Sequence, residues 1–226
     1  IPKMADHSLY IRPFMFASDE VIGVKPSETY KFMILLSPTG PYYNAPQRIY
    51  VEEQYVRAVP GGVGYAKAAG NYGAAMYATA EAKKKGYDQV LWTDAFEHKY
   101  VQEIGTMNVI FIIGDKAVTP DLGLGTILAG VTRNSTLTLL REAGFTVEER
   151  RLSIDEIIDA YKAGHLFEVF GTGTAATITL IKELRYKDFV MHFDTDKWRT
   201  APNIKAWLND IREGRKEDKF GWMVKV

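Results

Sequence analysis

The chain contains no cysteine, which excludes disulfides, thiolate metal sites and thiol nucleophiles. It has no excess of either charge, with 28 Lys and Arg against 28 Asp and Glu in 226 residues. It therefore lacks the basic field that draws proteins to DNA or to anionic membranes, and neither nucleic acid nor membrane is expected as a partner. An acidic disordered tail is excluded as well, because aromatic residues reach 12%. Long hydrophobic runs are missing. The longest, residues 109–113, stops at Gly114-Asp115, far short of the about 20 residues that span a bilayer. The four histidines, His7, His98, His165 and His192, show no ligand spacing. With no His-Glu-x-x-His motif or carboxylate cluster beside them, no metal site is expected. A Gly-x-Ser-x-Gly elbow and a Walker lysine are also absent. No signal-peptide pattern is read, so the expected compartment is the cytoplasm.

What is present is the composition of a folded protein, 46% hydrophobic and 25% charged, in a chain long enough to bury about 70% of its unfolded surface. It opens at Ile1 without an initiator methionine and moves into an apolar segment of strand character, residues 8–13. It reads as the middle of a longer protein. Residues 30–37 (YKFMILLS) are apolar and bounded by turn residues, which predicts a buried strand. Residues 37–46 then hold three prolines and a glycine, too rigid and donor-poor for a regular element. A domain boundary is placed there, with 1–40 before it, a linker over 41–48 and a large domain over 49–226.

Past the linker, residues 50–59 predict a strand, 60–64 (Pro-Gly-Gly-Val-Gly) a glycine-rich loop, and 66–85 an alanine-rich helix that stops at Gly86. Strands are expected at 89–92, 107–113, 145–152 and 166–170. Helices are expected at 131–143, at 154–162 behind the capping box Ser153-Ile154-Asp155-Glu156, and at 203–213. A second glycine-rich loop, 122–130, opens the helix at 131, and a third, 171–175 (Gly-Thr-Gly-Thr-Ala), precedes a β-branched stretch. Strands outnumber helices, which favours an α+β class over a doubly wound sheet.

Three such loops exceed what packing requires. Converging backbone N–H groups bind anions, and a helix N-terminus adds partial positive charge. The amides of Val131 and Thr132, together with Thr174, compose a sensible phosphate site, although glycines also serve tight turns. Gly171-x-Gly173-x-x-Ala176 matches a dinucleotide fingerprint only loosely, since a β-branched run follows where a helix must. Lys67 stands alone among Tyr65, Ala66, Ala68, Ala69 and Gly70, surroundings in which desolvation lowers a lysine's pKa toward that of a Schiff-base amine. The alternative is a surface lysine at a helix start. Tyr72 either offers a phenol to the same pocket or closes a core. Glu103, just ahead of the apolar run at 109–113, is either a partly buried carboxylate in need of a cation or a solvated edge residue.

Taken together, these segments resemble a known family. Gly61-Gly62-Val63-Gly64-Tyr65-Ala66-Lys67-Ala68-Ala69-Gly70-Asn71-Tyr72, Glu103-Ile104-Gly105-Thr106-Met107-Asn108, Leu128-Ala129-Gly130-Val131-Thr132-Arg133 and Phe170-Gly171-Thr172-Gly173-Thr174-Ala175 occur in the order and spacing of branched-chain aminotransferases, fold type IV pyridoxal-phosphate enzymes. Tyr10-Ile11-Arg12-Pro13 and Leu36-Ser37-Pro38-x-Gly40-Pro41-Tyr42 extend the match upstream. The Glu-x-Gly-Thr-Met-Asn form is similar to the longer subgroup that includes the animal enzymes. It argues against two relatives with the same cofactor, D-amino acid aminotransferase and aminodeoxychorismate lyase. A cysteine pair known in some animal members would fall just after Ala175, where this chain has Ala176-Thr177-Ile178-Thr179.

The resemblance implies a large domain of mixed sheets forming a pseudo-barrel with surrounding helices, preceded by the last portion of a small α+β domain. It implies pyridoxal 5'-phosphate as cofactor, a homodimer, and transamination of leucine, isoleucine and valine with 2-oxoglutarate. It assigns Lys67 the Schiff base and the proton transfer, Glu103 the pyridine nitrogen, Tyr72 the phenolic oxygen and Leu128 the ring face. Val131, Thr132 and Thr174 would hold the phosphate. Thr174, Ala175 and Tyr10 would take the substrate α-carboxylate, Arg12 the second carboxylate of glutamate, and Thr106 would line the cavity. Most of the small domain, with its phosphate-binding arginine, is missing from the sequence, which leaves an inert cofactor-binding fragment as the reading from another class.

Overall fold

The computed structural model of the chain describes residues 7–40, 45–175 and 177–224, which fall into two compact units, 1–44 and 45–226. In the first, β1 (Ser8–Ala17) and β2 (Tyr30–Thr39) form an antiparallel ribbon that runs in register from Ser8 opposite Thr39 to Ala17 opposite Tyr30. Beyond its open end, Asp19 accepts the backbone N–H groups of Glu28 and Thr29, each at 2.9 Å. The Thr29 hydroxyl and these amides hold the Asp19 carboxyl down at about 2.

Two expectations fail in this unit. Every residue of β2 except Thr39 is exposed, because a two-stranded ribbon has nothing of its own to cover either face. Nor does the strand stop at the prolines, since Pro38 pairs with Leu9. Each strand of a ribbon has an open edge, where a missing N–H removes no ladder bond.

The second unit starts with β3 (Gln47–Val51), whose Ile49 and Val51 are completely buried. The strand is much shorter than the expected 50–59. Buried Glu52 turns its carboxylate onto the N–H groups of Glu53, Gln54 and Tyr55 at 3.1, 2.9 and 3.1 Å, and this local bonding takes the chain out of the sheet. A loop leads to α1 (Ala69–Lys84), which buries Ala75, Ala78 and Ala82; these small side chains let it lie close on Tyr87, Val90 and Trp92. There follow β4 (Gln89–Thr93), β5 (Val101–Ile104), β6 (Met107–Ile113) and β7 (Lys116–Thr119). Next come α2 (Val131–Glu142), β8 (Thr146–Glu149), α3 (Ile154–Lys162), β9 (Leu166–Gly173), β10 (Thr177–Tyr186), β11 (Phe189–His192) and α4 (Thr200–Arg212).

Strands β5, β7 and β11 lie outside the expected set. In β5 the two central residues, Gln102 and Glu103, are polar yet buried, so hydropathy conceals the strand. The expected 145–152 strand shortens to β8, while β9 runs on through Gly171-Thr172-Gly173 and reduces the third glycine loop to a hairpin turn. Behind Ser153, the Glu156 amide does bond the serine hydroxyl at 3.1 Å. The other half of the capping box is replaced, because the Glu156 carboxylate pairs with Arg150.

The sheet closes on itself. Going around, β10, β3, β4, β5, β6 and β9 are each bonded to the next, and β9 returns to β10. The pairs β10–β3 and β3–β4 are parallel, and the rest of the ring is antiparallel. Strand β11 branches from β10, and β7 and β8 branch from β6. The class is α+β with a pseudo-barrel, as the sequence indicated. Helices α2 and α4 bury Leu137, Leu140, Ile204 and Leu208 together with Ile110, Ile112 and Phe170 of the strands. Among the described residues no helix is long and apolar enough to cross a membrane.

The N-terminus of α4 is capped from the sheet. Glu168 of β9 accepts the N–H groups of Arg199, Thr200 and Ala201 at 2.8, 2.8 and 2.7 Å. Glu168→Ala would leave three donors without an acceptor and is expected to cost about 2–4 kcal/mol in urea unfolding, with Glu168→Gln losing less. An Ala variant within about 0.5 kcal/mol of wild type would show that water replaces the cap.

Candidate active site

The loop between β3 and α1 is held against the loop before α2 by contacts that allow no side chain at Gly64. A Cβ there would lie 2.5 Å from Ala58 Cβ and 2.6 Å from the Thr126 carbonyl oxygen. Asn71, buried in the first turn of α1, donates from Nδ2 to the carbonyls of Val63 and Ala66 at 2.8 and 3.0 Å. This fixes the segment that carries Lys67. Lys67 itself is exposed, which matches the surface lysine at a helix start rather than the desolvated one, because the small Ala66 and Ala68 beside it cannot cover a long side chain. Its Nζ lies 5.5 Å from the centre of the Tyr72 ring.

Facing this loop, Glu103 projects from β5 with 3% exposure. One carboxylate oxygen, Oε1, accepts from Asn108 Nδ2 at 3.1 Å and from the Leu128 backbone N–H at 2.9 Å. The other, Oε2, pairs with Arg57 Nη2 at 3.0 Å. Burial raises the Glu103 carboxyl to about 7, against the opposing pull of Arg57, the Leu128 amide and Lys67. Arg57 is also fixed by main chain, since its Nη2 donates to the carbonyls of Gly64 at 3.1 Å and Thr126 at 2.8 Å. Asn108 bonds the Leu128 carbonyl at 2.9 Å.

A small cleft, open to solvent, lies over this carboxylate. Its walls include Arg57, Tyr72, Glu103, Thr106 and Leu128, which brings four of the expected residues together beside Lys67. Gly105, with φ +55°, turns the chain ahead of Thr106, and its carbonyl accepts from Trp92 Nε1 at 3.0 Å.

Two residues beyond Leu128, Gly130 caps α2. The helix has no side-chain cap and no acidic residue in its first turn, and Val131 is exposed. A Cβ on Gly130 would lie 2.2 Å from Asn108 Oδ1, so glycine is what lets this helix start approach the Glu103 network. Pairing of Glu103 with Asn108, and of Asn108 with Thr172, continues the row into β9. Thr174 and Ala175 are exposed in the turn that follows. Tyr10 and Arg12 belong to the other unit, two residues apart on β1, with Arg12 Nη2 donating to the Tyr10 hydroxyl.

Sequence reasoning missed Arg57, Asn71 and Asn108. Asn71 and Asn108 sit inside the quoted motifs, yet nothing local shows that their amides bridge separate segments. Arg57, in Val56-Arg57-Ala58-Val59, offers one signal: a single cation within an apolar run needs a partner when buried.

A closed mixed barrel whose cavity holds a buried carboxylate, lined by the residue before Lys67 and by Leu128 just ahead of an uncapped helix start, defines a class. A family model, amino-transferase class IV, matches residues 1–184, and the chain belongs to this family. Across its whole length it is 48% identical to a protein of Staphylococcus epidermidis named probable branched-chain-amino-acid aminotransferase, and spans 64% of that relative. Branched-chain amino acid aminotransferase of Escherichia coli has the same fold, with a TM-score of 0.79 and 27% identity, over 96% of this chain and 70% of that one. An aminotransferase from Brucella abortus, solved with bound pyridoxal phosphate, matches at a TM-score of 0.74 and 25% identity over 92% of this chain and 69% of that one.

The raised Glu103 carboxyl has a consequence for stability. The folded chain holds this proton more tightly than the unfolded one, so its stabilising contribution is full below about pH 4.5 and is lost as pH rises to about 7. Over that window wild type is expected to lose on the order of 3 kcal/mol relative to Glu103→Gln in urea unfolding at successive pH values. Parallel pH profiles would mean that the carboxyl is not buried as described.

Proposed function

We propose that the parent protein is an aminotransferase that moves the amino group of leucine, isoleucine or valine to 2-oxoglutarate, with pyridoxal 5'-phosphate bound in this chain. The observation that carries the reading is the Glu103 carboxylate. An ionised carboxylate has about four acceptor positions; Asn108 and the Leu128 amide donate to Oε1, while Oε2 is in ion-pair contact with Arg57. Oε2 suits a further donor from the cavity, as a protonated pyridine nitrogen provides.

The remaining residues fit the same group. The first amides of α2, at Val131 and Thr132, have no side-chain acceptor and suit a phosphate, with the Thr174 hydroxyl as a further donor. Leu128 would pack against the ring face, and the Tyr72 hydroxyl would serve the ring oxygen. The bound cofactor supplies a conjugated ring that withdraws the electron pair left when the substrate Cα–H bond breaks. Lys67 would supply the primary amine for the cofactor aldehyde and would carry the proton from the substrate Cα to the cofactor's C4′. Glu103 keeps the ring nitrogen protonated. Thr174 and Ala175 amides and the Tyr10 hydroxyl take the substrate α-carboxylate, Arg12 takes the second carboxylate of 2-oxoglutarate or glutamate, and Thr106 lines the cavity.

In this reading, residues 1–40 are the end of a smaller domain, 41–48 its linker and 49–226 the large cofactor domain of a cytoplasmic homodimer. The motif order and the named relatives support the aminotransferase assignment on which it rests.

After incubation with pyridoxal phosphate and borohydride reduction, one pyridoxyl group per chain is expected on Lys67, and none on Lys67→Ala, by peptide mass spectrometry. Scattered labelling of surface lysines would defeat the cofactor reading. In a longer form that includes the small domain, leucine should convert the cofactor to its amine form and 2-oxoglutarate should restore it. Lys67→Ala should slow this by about 100-fold or more.

A further inference from the structure

The Glu103 network contains a charge that the assigned roles do not use. Arg57 is about nine-tenths buried, with its side chain 9% exposed. Its Nη2 is placed by two carbonyls, Gly64 and Thr126, from two different loops. The guanidinium would hold this place whatever the state of Glu103, so it acts as a preset charge rather than a group recruited by the carboxylate. If Arg57 served only to tie the loops, an uncharged donor would suffice. A buried cation carries a desolvation cost of several kcal/mol, which the loop contacts alone do not call for. Its Nε has no hydrogen-bond partner, so the network is not built to satisfy the guanidinium as fully as it could be. The contact that uses the charge is the one to Glu103.

We propose that Arg57 is a positioning residue that favours the ionised form of Glu103 and holds the Oε2 side of its carboxylate beside the cavity both residues line. This deepens the cofactor reading and rests on it, because an ionised Glu103 is what a protonated ring nitrogen requires. The titratable groups that face the carboxyl are Arg57 from the loop after β3, Lys67 ahead of α1 and Tyr72 within α1. The strand and loop on its other sides present Asn108 and the Leu128 amide, which do not titrate. Arg57 is the only one of the three held in contact with the carboxylate. The same geometry explains why the Glu103 carboxyl stays near neutrality despite its burial.

The test follows the Glu103 proton itself and needs no cofactor. In the chain as it stands, the carboxylic C=O infrared band that disappears in Glu103→Gln is titrated against pH. Arg57→Gln keeps a donor for the loop carbonyls and removes the charge; it is expected to move the midpoint up by about 1–3 pH units. Arg57→Lys restores the charge without the fork and is expected to bring the midpoint back near wild type. An unmoved midpoint in Arg57→Gln, or a shift in Arg57→Lys as large as in Arg57→Gln, would overturn the proposal and leave Arg57 a loop clamp. Should Arg57→Gln not fold, the Lys variant decides alone, a wild-type midpoint supporting the electrostatic role and an upward shift opposing it. The borohydride adduct at Lys67 is read separately, so the cofactor assignment and the role of Arg57 fail by different measurements.

Discussion

A carboxylate removed from water must be given back nearly everything water supplied, and the site is arranged around meeting that requirement for Glu103. Transfer of an unpaired carboxylate into a protein interior costs more than most domains have to spare. The donors come from places far apart in sequence: Arg57 after β3, Asn108 on β6 and the Leu128 amide in the loop before α2. Meeting the needs of one side chain therefore fixes three segments relative to one another. Among them are the loop that continues to Lys67 and the loop that continues into the first turn of α2.

Glycine makes the convergence possible. At Gly64 and at Gly130 the space a Cβ would take is already filled by backbone or by Asn108. These two positions need close approach of chain to chain, unlike Gly105, where the positive φ is the reason. Together they place a lysine-bearing loop and an exposed helix start on the two sides of one carboxylate. Beneath them lies the closed sheet, whose antiparallel row Glu103, Asn108, Thr172 carries the same line of residues to the β9–β10 turn. Helix α1, with alanine on its buried side, seats Asn71 and Tyr72 against that floor.

Much of this was legible in residues that break a local pattern. The alanine-rich helix, the helices at 131 and 154, and the strands around 89 and 107 follow from periodicity and from glycine stops. Glu103 stood out as a carboxylate at the mouth of an apolar run, and it is indeed buried with a cation. What could not be read is long-range. The identity of that cation depends on a barrel closure that no window of sequence contains. The strand carrying Glu103 was hidden because its two central residues, Gln102 and Glu103, are polar, and the donors that satisfy Glu103 lie far away in sequence. Residues 30–37 were misjudged for the converse reason: apolar composition promises burial only where something covers it, and the ribbon's described residues leave it bare. At Lys67 the neighbours in sequence left burial and exposure both open, and the structure shows exposure.

The closed ring also sets an order of events during synthesis. Strand β3 has β4 on one edge, but its other edge waits for β10, and the ion pair that joins them, Arg48 to Glu183, spans 135 residues. At ribosomal speeds of about 5–20 residues per second, that interval lasts on the order of 10 s. Throughout it, an apolar edge ending in Ile49 and Val51 stands open, and the barrel beneath the Lys67 loop has a missing stave. The chain therefore emerges with its Lys67 loop already made but unsupported. Whatever protects nascent sheet edges, a chaperone or rapid provisional pairing, has its work concentrated in that gap.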